Sequence, residues 1–138
     1  MWKHKIFVTI GDQEPIWTPP PSDTMRVDVD ASVWNQNHVA CGKVTRNAEG
    51  DWIMGFKKKL GYLGSTAAEI LAIKNGLELS KTLGFFEIQL PKDSLDAINL
   101  LRSCSPHHPL RGEISEVRGI IYDHWEARII YLPRTSIR

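Results

Sequence analysis

The chain has 138 residues, 42% hydrophobic and 24% charged, which is the size and balance of one soluble domain able to bury a core without disulfides. Its net charge of +1 excludes a global field that would draw it to nucleic acid or to an anionic membrane. Ile6 to Ile10 is too short for a signal-peptide core or a membrane span, and Cys41 and Cys104 form no metal-like pair, so an intracellular, soluble protein with reduced thiols is expected.

Residues 1–25 read as a lead-in, and residues 26–138 as the folded domain. Trp17-Thr18-Pro19-Pro20-Pro21 favours an extended, polyproline-like path into the first strand. Arg26 to Trp34 alternates strictly, with Val27, Val29, Ala31 and Val33 on one side, which predicts a strand with one buried face. Asp28 and Asp30 then share the other face, about 7 Å apart. Asn35-Gln36-Asn37 supplies a turn, Val39 to Arg46 a second strand, and Asn47 to Gly50 another turn. Asp51 to Leu60 makes a third strand with Trp52, Met54 and Phe56 on one face, which completes an antiparallel meander.

Thr66-Ala67-Ala68-Glu69 has the capping-box pattern at the start of a helix that runs to about Leu83-Gly84. Phe86, Ile88 and Leu90 alternate as a fourth strand, which a helical crossover makes parallel to the sheet. Asp93 is expected as the N-cap of a second helix bearing Leu95, Ile98 and Leu101. A third helix carries Ile114, Val117, Ile120 and Ile121, and Trp125 to Leu132 forms the fifth strand.

Asp30 lies within the first strand, and two further acids, Glu69 and Asp93, each stand where an element begins beside such a strand. Each has a plain structural reading: Asp30 as a water-facing strand residue, Glu69 and Asp93 as helix-capping groups. Glu69 also shares a helical face with Ala72, Gly76 and Ser80, small residues that let a helix approach a sheet closely. Asp93 follows the C-terminal end of a strand, where α/β sheets bind ligands. If the three converge, hard oxygen donors without Cys or His suit Mg²⁺ or Mn²⁺, whose pairs can promote phosphodiester hydrolysis. Lys92 reads as a solvent-exposed lysine able to pair with Asp93 or meet phosphate. His107 and His108, in a Pro-flanked loop, read as solvated. Lys57-Lys58-Lys59 lies on an alternating strand, so the three cannot share a face.

The order of elements and acids resembles a ribonuclease H-like domain, of the plant type associated with retrotransposon reverse transcriptases. The resemblance spans about Trp17 to Arg134. It rests on the Trp17–Pro21 segment, Val29-Asp30-Ala31-Ser32, Arg46 through Trp52, Ala68 through Ile73, and Lys92-Asp93-Ser94-Leu95. It implies an α/β fold with a mixed five-stranded sheet, three antiparallel strands then parallel ones, flanked by helices. It also implies two-metal hydrolysis of the RNA strand of RNA–DNA hybrids, with Asp30, Glu69 and Asp93 as catalytic metal ligands. Asp28 stands where this group usually carries Asn. Lys92 replaces a small Ser and sets a positive charge beside the cation site. The family's final helix and its fourth acid have no counterpart before Arg138, so a C-terminally truncated domain with weak activity is expected. The alternative is a catalytically inactive module that binds nucleic acid or a protein.

Overall fold

A computed structural model of the chain describes residues 6–7, 24–46, 51–123 and 126–132. Its elements are, in order, β1 (Ile6–Phe7), β2 (Met25–Trp34), β3 (Asn37–Arg46), β4 (Asp51–Gly61), α1 (Ser65–Thr82), β5 (Glu87–Lys92), α2 (Leu95–Arg102), α3 (Arg111–Tyr122) and β6 (Glu126–Tyr131). The strands form one mixed sheet in the order β1-β6-β5-β2-β3-β4. β2, β3 and β4 are antiparallel, while β5 and β6 join in parallel, as expected. β1 is an addition: two residues of the presumed lead-in pair in parallel with Ile129 and Ile130 at the sheet edge. The Trp17–Pro21 segment, the Asn47–Gly50 turn, Trp125 and the last six residues lie outside the described residues.

The hairpin between β2 and β3 closes through Asn35 and Gln36, both at positive φ, which matches the twist of the flanking strands. Directly opposed residues of antiparallel strands share a face, so the register sorts the sheet into two surfaces. Val29, Gly42 and Phe56 form one row and Val27, Val44 and Met54 the next, on the face covered by α1. Asp30, Cys41 and Lys57 form a row on the other face. The expected grouping of Trp52 with Met54 and Phe56 does not hold. A register shift between Val44 and Thr45 leaves Trp52 opposite Thr45 and Met54 opposite Val44, and adjacent residues point to opposite faces.

The core lies between the sheet and the helices, built from Val27, Val44, Ile70, Ile73, Leu77, Ile88, Leu90, Ile98, Leu101, Ile114, Ile121 and Ile129. Helix α1 buries Ala72, Gly76 and Ser80, the small-residue face read from the sequence. A β-carbon at Gly76 would stand 2.6 Å from Val29 Cγ1, so glycine there sets the helix-to-sheet distance. Lys74 of α1 pairs with Glu116 of α3, and this bond is the main reason its pKa is raised. Arg118 of α3 donates to the carbonyls of Leu101 (3.0 Å) and Leu100 (3.3 Å), satisfying the end of α2. Phe86 precedes its strand rather than joining it and is exposed.

Candidate active site

β5 lies between β2 and β6, yet its two partners hold it over different lengths. With β6 it pairs from Glu87 to Lys92; with β2 only Ile88 and Gln89 pair, to Met25 and Arg26. Pro91 supplies a reason. The Lys92 carbonyl accepts from Leu132 N–H on the β6 side. Main-chain groups alternate sides along a strand, so Pro91 presents its nitrogen toward β2 and has no hydrogen to donate. The ladder stops there, and a cleft opens between the C-terminal halves of β2 and β5.

Lys92 bridges this cleft. Ile88, Leu90 and Lys92 alternate onto the same inner face, and Lys92 is only 3% exposed. Its Nζ donates to the carbonyl of Val29 at 3.0 Å. It stands 2.6 Å from Glu69 Oε2, 3.8 Å from Asp93 Oδ1 and 3.9 Å from Asp30 Oδ1. Glu69 Oε2 is itself buried and accepts no well-directed hydrogen bond, so its contact with the ammonium is an ion pair held by charge and distance. The three acids that the sequence singles out therefore meet, and they meet on a lysine. The expectation of a solvent-exposed Lys92 is corrected. The signal was present, because continuing the alternation of Ile88 and Leu90 places Lys92 inward.

Local structure releases the other two acids from the capping roles expected of them. α1 begins at Ser65 with Gly64 as N-cap and no side-chain cap bond, so Thr66 and Glu69 form no capping box. α2 begins at Leu95, and its cap is Ser94, whose hydroxyl accepts from Ala97 N–H at 3.3 Å. Asp93 sits one residue earlier, at the cleft. The three carboxylates differ in access: the Asp30 side chain is 69% exposed, while those of Asp93 and Glu69 are 24% and 17% exposed. Asp28 stands apart, paired with Arg26 at 2.8 Å. The loop histidines serve their own turn: His108 Nδ1 accepts from Leu110 N–H, and Ser105 Oγ accepts from His107 N–H.

The donor chemistry of the trio suits a hard divalent cation, but the arrangement does not. Among the described residues no three His, Cys, Asp or Glu side chains are disposed to hold an ion. The ammonium of Lys92 takes the centre, and a metal ion cannot share that volume. With Lys92 in place, the residues do not fit a bound Mg²⁺ or Mn²⁺.

The family described as reverse transcriptase-like matches residues 27–138. Among solved structures, an RNase H1 from the halophilic archaeon Halobacterium salinarum superposes with a TM-score of 0.69 at 18% identity, covering 82% of this chain and 88% of that one. An N-terminal RNase H domain from Mycobacterium tuberculosis gives 0.69 at 16% identity, over 81% and 88% of the two chains. An RNase H1 designated LC11, solved in complex with an RNA/DNA hybrid, gives 0.68 at 13% identity, over 80% and 86%. At these identities the likeness is one of fold. No curated protein matches the sequence. Among the described residues no helix is long and apolar enough to cross a membrane.

Proposed function

The chain belongs to the reverse transcriptase-like family, whose fold here is that of RNase H, and from that premise we propose that it acts on RNA–DNA hybrids. In this reading it binds the duplex across the cleft between β2 and β5 and hydrolyses the RNA strand slowly. The carrying observation is the convergence of Asp30, Glu69 and Asp93, from three separate elements, on one point at the open end of a parallel strand pair. Such cleft ends are where α/β sheets bind ligands. The hybrid bound by LC11 RNase H1, a protein of the same fold, is in keeping with this. The plant-type, retrotransposon-associated kinship and the intracellular setting form part of the same proposal, resting on the motifs described above.

The roles of the acids follow from their access. Asp30 is the group open to an incoming phosphodiester and its water, while Glu69 and Asp93 line the floor. Three carboxylates against one ammonium leave an excess of negative charge, which repels phosphate. A low rate follows, and no metal-dependent step is assigned while Lys92 fills the centre. A second reading has its own support in Lys92: a domain that binds hybrid and cuts nothing.

The experiment is cleavage of a labelled RNA–DNA hybrid in Mg²⁺, in Mn²⁺ and in chelator, beside Asp30→Asn from the same preparation. The expected result is slow cutting of the RNA strand, at the same rate in either ion and in chelator, with Asp30 as the general base, and a fall of about 100-fold in the variant. Binding without cutting would favour the second reading, and a folded protein that neither binds nor cuts would overturn both.

A further inference from the structure

We propose that Lys92 is a built-in replacement for the cation of this site, so that the protein holds its acids together without metal and binds metal only when that side chain is removed. The inference rests on reading Asp30, Glu69 and Asp93 as the family's cation-binding acids, and it concerns this chain's departure from that pattern.

A lysine that merely pairs with a neighbouring acid keeps its ammonium in water. Lys92 does not. It is 3% exposed, its stem continues the buried row of Ile88 and Leu90, and its ammonium is tied to the Val29 carbonyl on the far side of the cleft. Every carboxylate of the trio lies within ion-pair distance of it, from β2, from the second turn of α1 and from the residue after β5. Clustered carboxylates repel one another unless a cation relieves them. The lysine relieves them from a fixed covalent position, anchored by the β5–β6 ladder through the hydrogen bond from Leu132 N–H to the Lys92 carbonyl. An ammonium supplies charge but no open coordination position for water, so it preserves the architecture of the site without its Lewis acidity.

The test compares wild type with Lys92→Met, which keeps the apolar stem and deletes the charge. Thermal melts are recorded in chelator and in saturating Mn²⁺. Wild type should melt at the same temperature in both. Lys92→Met should melt lower in chelator and recover by about 5 °C or more with Mn²⁺. An equal Mn²⁺ shift in wild type would overturn the inference, and so would a well-folded variant that gains nothing from the ion.

If Lys92→Met does not fold, wild type decides the matter alone. Paramagnetic broadening of the Glu69 and Ser94 amide signals by substoichiometric Mn²⁺ would show an ion at the centre and overturn the inference; unbroadened signals there support it. Hybrid binding, measured on the same preparations, keeps the two proposals apart. Its absence removes the functional reading and leaves the cation result standing.

Discussion

A buried ammonium among carboxylates holds its place only while its partners remain, because removing one side of such a pair leaves desolvated charge behind. Asp93 keeps its position beside Lys92 because Ser94, not Asp93, caps α2. The cap thus matters twice, once for the helix and once for the cleft. Ser94→Ala should lower stability by about 1 kcal/mol in urea unfolding, with the midpoint moving and the slope unchanged. An unchanged midpoint would mean that the 3.3 Å bond to Ala97 N–H contributes nothing. At this scale the sequence was legible in identity and less so in placement. The pattern marks out Asp30, Glu69 and Asp93, but it also gives Glu69 and Asp93 a capping role, since Thr-x-x-Glu and Asp-Ser look alike whether or not the side chain turns back to the helix. Lys92 does not stand out in the sequence, because an isolated lysine is most often solvated and only strand parity argues otherwise.

Elements decide how close these residues can come. α1 reaches the sheet over Gly76, whose α-hydrogen faces Val29 and Val27. Gly76→Ala should gain about 1 kcal/mol in helix propensity and lose about 1–3 kcal/mol by overpacking against Val29. The net outcome expected is destabilisation of up to about 2 kcal/mol, together with a displaced Glu69 and weaker hybrid cleavage. A stabilised variant would mean that the helix shifts outward at no cost. The small-residue face of α1 was readable from the 3.6-residue period. The cleft was not, because it depends on which side of β5 the Pro91 nitrogen points toward, and that is fixed only when β6 docks. The register shift that separates Trp52 from Met54 was equally hidden. A bulge changes parity without leaving a mark on composition. β1 is not legible for a different reason: two paired residues carry too short a pattern for periodicity to register, although Ile6 and Phe7 are good strand formers.

The whole molecule offers hybrid nucleic acid a particular kind of surface. Asp30 shares its sheet face with Lys57 through the row that includes Cys41. Lys58 turns the other way, to Asn75 of α1 at 3.4 Å, so Lys59 falls back on the Asp30 side. Trp34 lies beneath the Lys57 ammonium, 5.6 Å from ring centre to Nζ, and Trp52 is exposed beside Gly55. Lys43, exposed opposite Asp28 on the same face, joins Lys57 and Lys59, so three lysines and two aromatic rings border the path to the most open acid, on a protein whose net charge is only +1. Few counterions can be released when a duplex docks on such a face. Hybrid affinity, followed by fluorescence anisotropy across a salt series, should fall with a log–log slope of magnitude about 3, below that of a strongly basic binder. Lys57→Ala should reduce the slope by about 1 and weaken binding to every sequence alike. A slope of about 6 or more would require phosphate contacts well beyond this face, and the docking path described here would be wrong.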